Sequence, residues 1–565
     1  MRVHITIAIV LAACGPGSRH GDGPCQVGQT KCDGNTYETC VDGQFKDSMD
    51  CPDACDEQLG CVLCVPNTGT CNGNDSHACN SMGTGYVDTT CDPVQGESCD
   101  ATMGVCTGAC APLTLGLSYI GCEYFPTVTG NLVGNNFDFA VAIANTGSQP
   151  AMVTIEDGAL TSPMTVTVAP ATLLVQKLPW QQTLKLCNNP DTPETGGCNG
   201  VAPPSAAQVS KGAYHLRSTS PVTVYQFNSL EYVINSSDFS YSNDASLLLP
   251  TNVWRDNYYT AAWEQVGGTN PSEMAVTAWQ DNTMVTLNTT ATTIAGGGAP
   301  AFTAGTPGTV MLNAGDVLEI TSATGDFTGT NVSSTAPVSV IGGHFCADIP
   351  DTVGYCDHIE ESMFGVDTLG ENYIVNAPAV TSIPTGKVEV IRIIATQPNT
   401  TLNYNPPQAG APASIAMPGQ FVEIDNNANS FEISASNKVL VAQYMEGQDA
   451  GGGTGDPAMA LAVPFEQFRT SYTFQAPTSY DSNYVDVTAP MGASVMLDGA
   501  APLPLTAIGS TGYGLSRVEP LGNGPAGDGN HTITGDMPFG ITVYGYGQYT
   551  SYWYPGGLDL KDIIE

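Results

Sequence analysis

The chain has 565 residues, too many for one hydrophobic core, so we expect several domains. Its 15 Lys and Arg stand against 54 Asp and Glu, and the net charge of −39 argues against nucleic acid and anionic lipid surfaces as partners. Only 12% of the residues are charged, and 63 Gly and 39 Pro accompany them, so the composition predicts β-sheet and turns rather than helices.

The first 13 residues predict a lipoprotein signal peptide. Arg2 supplies a positive start, and the apolar run that follows is too short to span a bilayer. The run ends in Leu-Ala-Ala-Cys at Cys14, which resembles the bacterial lipobox, where cleavage precedes a cysteine whose sulfur carries lipid. The alternative is an ordinary secretory signal with a chance cysteine.

Lipidation at Cys14 would hold the exported protein on a bacterial membrane without a transmembrane helix. Residues 14–24 are polar and rich in Gly, so we expect a flexible tether. Gly15 rather than Asp follows the cysteine, which favours the outer membrane and the cell surface by analogy with other bacterial lipoproteins.

Two six-cysteine repeats follow, at 25–63 and 64–110. The gaps between successive cysteines are 7, 8, 11, 4 and 6 in the first and 7, 8, 12, 8 and 7 in the second, which indicates a duplication. Removing Cys14 from the 19 cysteines leaves an even number, as expected for disulfides in an exported chain. Each repeat is too small for a hydrophobic core, so we predict a disulfide-rich stalk. The CxxC and CxxxC spacings leave a metal site as the alternative.

From residue 111 the sequence predicts an all-β architecture of tandem β-sandwich-like modules. A strand–turn–strand element recurs four times, and so does a second element that contains a Pro or Lys before a strand. That Pro or Lys stands at Pro221, Pro337, Lys438 and Pro538. We predict modules at 111–240, 241–350, 351–450 and 451–556, with a tail at 557–565. Cys110 and Cys122 are expected to pair across the junction with the first module.

The connectors between modules carry matching residues four positions apart, most of them bulky. These residues are Pro250, Trp254 and Tyr258, then Gly365, Leu369 and Tyr373, then Pro464, Phe468 and Tyr472. We expect them to pack at module ends or joints, with ligand stacking by Trp254 or Tyr258 as the alternative.

The stretch HFCADIPDTVGYCDH contains two histidines and two cysteines in a nearly symmetric pattern. His344, Cys346, Cys356 and His358 have residue types that bind zinc, yet the same cysteines suit a disulfide with two neighbouring histidines. The spacing alone leaves both interpretations open.

Several ordered motifs resemble the IgG-Fc-binding-protein N-terminal domain family. They are SPVTVYQFNSL, SNDASLLLP, GGHFCADIPDTVGYCDHIEE, GDPAMALAVPFEQF and NYVDVTAP, and the resemblance covers residues 205–556, more weakly from 112. It implies an exported recognition or matrix-associated protein of the kind found in bacterial lipoproteins. The sequence departs from the family pattern at SMFGVDTLG, where a more proline-rich run is usual.

The resemblance implies a disulfide-like pair at Cys346 and Cys356, followed by Asp357, His358 and an acidic residue at Glu360 or Glu361. Export and the even cysteine count point the same way, and zinc remains the alternative. Cys187 and Cys198, which flank the polar loop NNPDTPETGG, are expected to form a similar local pair.

The sequence contains no HExxH, GxSxG or GxxxxGK[ST] motif, so we expect no enzyme and no cofactor. Several Asp lie in turns rich in Gly or Asn, where turn chemistry explains them and calcium is the alternative. These residues are Asp281, Asp316, Asp449, Asp456 and Asp528.

We therefore expect a lipid-anchored surface protein for binding or adhesion that recognises an extracellular glycan or protein through loops of its β modules. Its membrane contact would be the lipid alone, and nucleic acid would not be a partner. A self-assembling envelope or matrix protein is the first alternative, and a polysaccharide-active enzyme is a remote one.

Overall fold

A computed structural model describes residues 25–186, 205–266, 270–380, 387–451 and 453–563. The chain forms two compact units. The first extends to Cys91 and includes Ser98–Thr107, and the second contains Asp92–Glu97 and the chain from Gly108 onward. Within the described ranges, no helix has the length and apolar character needed to cross a membrane.

The first unit consists of two small β structures, one for each cysteine repeat. Its strands are β1 Thr30–Asp33, β2 Thr36–Val41, β3 Gln44–Asp50, β4 Ala54–Asp56, β5 Gly60–Val62, β6 Gly69–Asn72, β7 Asp75–Cys79, β8 Tyr86–Thr90, β9 Ser98–Asp100 and β10 Val105–Thr107. Each repeat pairs three strands in one sheet and two in a hairpin: β1-β2-β3 with β4-β5, and β6-β7-β8 with β9-β10.

The two repeats also share one disulfide connectivity. In each, the first cysteine joins the third, the second joins the fifth and the fourth joins the sixth. The bonds are Cys25–Cys40, Cys32–Cys55 and Cys51–Cys61, then Cys64–Cys79, Cys71–Cys99 and Cys91–Cys106. Apart from Val105, the buried hydrophobic residues described in this unit are cysteines. The disulfides therefore replace a hydrophobic core.

The second unit is built from β-strands that repeat one order four times. The first repeat has β11 Gly121–Tyr124, β12 Phe139–Asn145, β13 Ala151–Asp157, β14 Met164–Val168, β15 Thr172–Leu178, β16 Ala207–Val209, β17 Tyr214–Asn228, β18 Val233–Asn235, β19 Asp238–Phe239 and β20 Asp244–Leu248. The second has β21 Arg255–Tyr259, β22 Ser272–Ala278, β23 Thr283–Asn288, β24 Thr292–Thr293, β25 Gly308–Leu312, β26 Val317–Thr324, β27 Asn331–Ala347 and β28 Asp357–Ser362.

The third and fourth repeats follow the same order. The third has β29 Asn372–Asn376, β30 Glu389–Ala395, β31 Thr400–Asn405, β32 Ser414–Ile415, β33 Phe421–Asn427, β34 Ser430–Ala435, β35 Val439–Met445 and β36 Met459–Leu461. The fourth has β37 Arg469–Gln475, β38 Ser482–Pro490, β39 Val495–Leu497, β40 Thr506–Ala507, β41 Tyr513–Leu521, β42 Asn530–Gly547 and β43 Thr550–Pro555. Helix in the described residues is confined to α1 Gln182–Lys185, α2 Gln448–Gly451 and 3-10 turns at Pro93–Gln95, Thr251–Val253, Val366–Thr368 and Phe465–Gln467.

One long strand organises each repeat: β17, β27, β42, or in the third repeat the broken pair β34 and β35. Its first half pairs with the opening strand and the third strand, and its second half pairs with the second strand and the closing strand. The halves thus belong to two sheets, and in repeats one, two and four a Pro of the recurring Pro-or-Lys position lies where they meet. This arrangement confirms the predicted all-β fold of tandem sandwich-like modules, and a disulfide-rich segment precedes them in the sequence as predicted. The closing strands β20, β28 and β36 lie after residues 240, 350 and 450, where we predicted the first three modules to end.

A tyrosine on each opening strand ties that strand to the long strand, and we call this contact the tyrosine latch. The hydroxyl accepts a hydrogen bond from a backbone N–H three residues earlier and donates one to the carbonyl just after the recurring Pro or Lys. The latch residues are Tyr124 with Gly121 and Val222, Tyr258 with Arg255 and Val338, Tyr373 with Gly370 and Val439, and Tyr472 with Arg469 and Phe539. The latch explains why a tyrosine on the opening strand recurs together with the Pro-or-Lys element.

The connector aromatics therefore serve packing. Tyr258 is 2% exposed, and Trp254, 5% exposed, donates from Nε1 to the Leu249 carbonyl at 2.8 Å. Neither ring is open to a ligand.

Removing one latch hydroxyl should destabilise the second unit. The Tyr373 hydroxyl lies 2.9 Å from the Gly370 nitrogen and 2.6 Å from the Val439 carbonyl oxygen. Tyr373→Phe leaves both buried groups without this partner, which should lower the unfolding free energy by about 1–3 kcal/mol. Denaturant unfolding measures this loss. Tyr355→Phe, at a ring that is 56% exposed, should leave stability unchanged, and equal stabilities of the two variants would contradict the latch.

The four closing strands β20, β28, β36 and β43 converge within the second unit. β20 contacts β28 and β43, and β36 contacts the same two strands, so the contacts form a closed ring. The buried Asp244 carboxylate connects them: Oδ1 accepts from the Trp553 N–H, and Oδ2 accepts from the Glu360 and Met459 N–H groups, each at 3.1 Å. Asp244 thereby joins its own repeat to the other three. Burial raises the pKa of this carboxyl, and the backbone donors oppose that rise.

Asp244→Asn should weaken the whole second unit. An amide presents a donor where the carboxylate accepts, so at least one backbone N–H from a neighbouring repeat faces another N–H. We expect a loss of at least about 2 kcal/mol in unfolding free energy, measured by denaturant titration. Asp256→Asn makes the same charge change at an exposed position and should be neutral. A loss of similar size in both variants would indicate a net-charge effect and refute the proposed role of Asp244.

Candidate functional site

A cavity of about 520 Å³ lies beside the loops that lead into three of the closing strands. Its lining combines aromatic residues, a disulfide, a short aliphatic stretch and three polar residues. These are Phe137, Phe239, Tyr241, Tyr355 and Tyr549; Cys346 and Cys356; Leu132, Val133 and Gly134; and Ser240, Asn270 and Asp456. Mostly apolar walls with a few polar groups are typical of small-ligand sites.

Four of the rings form one continuous surface, which we call the aromatic wall. Phe239 stacks on Tyr241 with ring centroids 5.6 Å apart and an interplanar angle of 15°. Tyr241 meets Tyr549 edge-on at 6.2 Å, and Tyr549 meets Tyr355 at 4.6 Å. Because each ring touches the next, the wall is one continuous part of the cavity lining.

The three tyrosines of the wall have left-handed backbone conformations. The φ angles are +47° at Tyr241, +74° at Tyr355 and +59° at Tyr549, and each residue stands just before the closing strand of its repeat. This conformation costs a bulky residue about 1–3 kcal/mol relative to ordinary regions. In the third repeat, the last residue with a left-handed conformation before the closing strand is Gly455, with φ +69°. Rings at positions where glycine would relieve strain indicate that the rings themselves are needed.

Neighbouring groups fix the loops of the wall. The Tyr549 N–H donates to Gln448 Oε1 at 3.0 Å, and the Gln548 N–H donates to the Tyr232 hydroxyl at 3.0 Å. The buried Asp357 carboxylate accepts from the Asn243 N–H at 2.6 Å and from the Thr550 hydroxyl at 3.1 Å. Asp357 therefore joins the loops of the first, second and fourth repeats behind the rings.

A disulfide forms another part of the lining. Cys346 and Cys356 are bonded, with Cα atoms 5.0 Å apart, and the bond closes the loop that carries Tyr355. Asn270 reaches the sulfur of Cys356 with its side-chain nitrogen at 3.6 Å.

The polar groups of the cavity are uncharged or acidic. Among the described lining residues, none is Lys, Arg or His. The Asp456 side chain is almost fully buried, and its Oδ1 accepts from the Gln448 N–H at 2.9 Å. Burial raises the pKa of Asp456 to about 7, against the lowering effects of that hydrogen bond and of Lys387. The group can therefore accept or donate a hydrogen bond near neutral pH.

The other predicted site residues are distributed as follows. Cys110 and Cys122 form a disulfide with Cα atoms 5.7 Å apart. Cys14, Cys187 and Cys198 lie outside the described residues.

The contacts given for the two histidines of the HFCADIPDTVGYCDH stretch are with a backbone N–H and with carboxylates, not with the bonded sulfurs. His344 Nδ1 accepts from the Cys346 N–H at 3.0 Å, and burial lowers the pKa of His344 to about 3. His358 lies between Glu273 and Glu360, at 3.6 and 3.5 Å. Both sulfurs are used in the bond, so neither is a thiolate ligand. In the described part of the chain, no group of three or more His, Cys, Asp or Glu is placed to hold a metal ion.

Backbone N–H donors, most of them in local turns, occupy two of the Asp residues that calcium could have used. Asp316 accepts from the Lys211 and Asn313 N–H groups at 3.0 and 2.9 Å, and Asp528 accepts from the Asn530 N–H at 3.1 Å.

Sequence reasoning missed Tyr241, Tyr355 and Tyr549. The available signal was a tyrosine one to three positions before the closing strands that begin at Asp244, Asp357 and Thr550. It could be seen only after those strands had been aligned across the repeats.

A second buried polar cluster lies where the first two repeats meet. Glu273, Glu319 and Glu360 are each at most 2% exposed. Glu360 accepts from the Gln226 amide at 2.8 Å, and Glu319 accepts from the Gly130 N–H at 2.7 Å. Neither oxygen of Glu273 has a hydrogen-bond partner. Burial raises the pKa of Glu273 well above 4.5, and Glu319 and Glu360 add to the rise.

The stability of the second unit should depend on the protonation of Glu273. A raised folded-state pKa stabilises the fold below the unfolded value of 4.5, and this contribution is lost as pH rises toward the folded value. Glu273→Gln, which is neutral at every pH, should be as stable as the wild type at about pH 4. Above the unfolded value of 4.5 it should become increasingly more stable than the wild type, by at most about 1.4 kcal/mol per pH unit. Denaturant midpoints measured against pH test this. Glu466→Gln, at an exposed position, is the control, and a pH-independent difference for Glu273→Gln would refute the prediction.

Comparison with known proteins gives two matches. A family model described as IgGFc binding protein matches residues 244–545, which contain Asn270, Cys346, Tyr355, Cys356 and Asp456 of the cavity. The human IgGFc-binding protein is 24% identical over 279 residues, which is 46% of this chain and 5% of the human protein. The chain thus spans a small fraction of the length of this relative.

Proposed function

Because the chain belongs to the IgGFc binding protein family, we propose that it is an extracellular binding protein whose contact site is the cavity with the aromatic wall. Membership confirms the resemblance seen in the sequence. The family is described as a binding protein, which is consistent with a protein that is not an enzyme.

The aromatic wall is the observation that carries the proposal. Three tyrosines hold left-handed backbone conformations and place contiguous rings at one cavity. Tyr355 is 56% exposed although the loop that carries it is closed by a disulfide. Exposed rings on a rigid frame bind partners with little loss of conformational entropy.

The disulfides support an extracellular location, since such bonds persist in oxidising compartments. We propose that lipid on Cys14 anchors the protein at a bacterial cell surface and that the cysteine repeats act as a stalk. The partner would be an extracellular glycan or protein. The human relative is named for IgG Fc, so Fc is one protein to test against this chain.

The test uses soluble residues 15–565 with disulfides formed, immobilised and exposed separately to three probes. The probes are deproteinised surface polysaccharide of the producing organism, its surface protein fraction and IgG Fc. We expect saturable retention of one probe, and at least about tenfold weaker retention by Tyr355→Gly and Tyr549→Gly. Gly suits the φ angles of +74° and +59°, so both variants should keep the stability of the parent.

Tyr86→Ala is the matched control, because this ring is 52% exposed and belongs to the first unit. Retention that survives both glycine variants would exclude the cavity as the contact site. Retention of no probe together with concentration-dependent self-association would replace the proposal with a structural role in the envelope.

A further inference from the structure

The cavity is specific enough in shape and polarity to indicate a chemical class of ligand. We propose that it binds one or two rings of a neutral saccharide, with an apolar sugar face on the exposed ring of Tyr355 and with Tyr549 and Tyr241 beside it. This inference rests on the proposed function and narrows it.

The geometry of the wall argues against a cage for a cation. An aromatic cage surrounds its ligand, which requires space between opposed rings. Here Tyr355 and Tyr549 have centroids 4.6 Å apart, and Tyr241 and Tyr549 are 6.2 Å apart at 75°, so the rings fill the space between one another. A ligand can therefore contact only the ring surface that stays open, such as that of Tyr355, and the C–H face of a pyranose is able to pack on it.

The polar lining argues against a purely apolar ligand. Ser240, Asn270 and Asp456 line the same cavity as the rings. A hydrocarbon would cover these groups without offering hydrogen bonds, which costs binding free energy. Sugar hydroxyls both donate and accept, so they suit an amide, a hydroxyl and a carboxyl together.

The charge of the site argues against acidic sugars and other anions. The protein carries a net charge of −39, and no basic residue is found among the described lining residues. Asp348 and Asp449 lie close enough to Asp456 to raise its pKa through their charges. Lys387, which lowers the pKa of Asp456, is buried, donates from Nζ to the Thr454 carbonyl at 2.9 Å and is not among the lining residues. An anion entering the cavity would therefore meet the negative field with no base in the described lining to pair with it. The volume of about 520 Å³ lies in the range of small-ligand sites.

The experiment is saturation-transfer NMR on soluble residues 15–565 with a panel of methyl glycosides of glucose, galactose, mannose and N-acetylglucosamine. We expect at least one glycoside to receive saturation mainly at the C–H protons of one ring face. Tyr355→Gly should weaken its binding at least about fivefold, while Tyr355→Phe, which keeps the ring, should bind within about twofold of the parent. The corresponding methyl glucuronide should bind at least about fivefold more weakly than the glucoside.

Three results would overturn the saccharide assignment: no glycoside bound at the highest soluble concentration, binding unchanged in Tyr355→Gly, or a glucuronide bound as tightly as the glucoside. Any of these results would leave the proposed function intact if, in the retention experiment, Tyr355→Gly abolishes the retention of surface protein or Fc. If the glycine variants affect no probe at all, the cavity fails as the contact site and both proposals fall. Asn270→Ala separates hydrogen bonding from stacking, since it should weaken glycoside binding and leave the rings in place.

Discussion

The four repeats of the second unit depend on one buried carboxylate. Asp244 accepts backbone N–H bonds from Glu360, Met459 and Trp553, one on the closing strand of each other repeat. A closing strand at the edge of its own sheet would otherwise leave donors without partners in a dry interior. The carboxylate satisfies three of them at one point and so holds the strands in register with one another. The loops before those strands are positioned as a consequence, and these loops carry the aromatic wall.

Much of the fold could be predicted from the sequence because the residues that define each repeat lie within that repeat. The Pro or Lys at 221, 337, 438 and 538 and the aromatic residues of the connectors recur at regular distances, and the latch joins them within each repeat. The duplication of the cysteine repeats was equally visible. Their connectivity was not, since six cysteines allow fifteen pairings and spacing does not choose between them.

The site could not be predicted in the same way, because its parts are far apart in the chain. Tyr241, Tyr355 and Tyr549 come from three repeats and meet only after the closing strands converge. Asp244, which brings the strands together, reads in the sequence as an ordinary turn residue before an apolar run. Similarly, His344 and His358 suggested a metal site by their spacing, whereas His358 instead contacts carboxylates from two strands of the second repeat.

The four repeats share one fold, yet they form a single cavity to which the repeats contribute different residues. Three repeats place a tyrosine before the closing strand, and the third places Gly455 there. A Cβ at Gly455 would come within 2.4 Å of the Tyr546 ring and 2.5 Å of the Ser551 hydroxyl, so this position admits no side chain. The close approach of the third repeat to the fourth therefore determines which repeats can supply rings. The rings of the aromatic wall come from the first, second and fourth repeats, and in the third repeat the packing around Gly455 leaves no room for a ring.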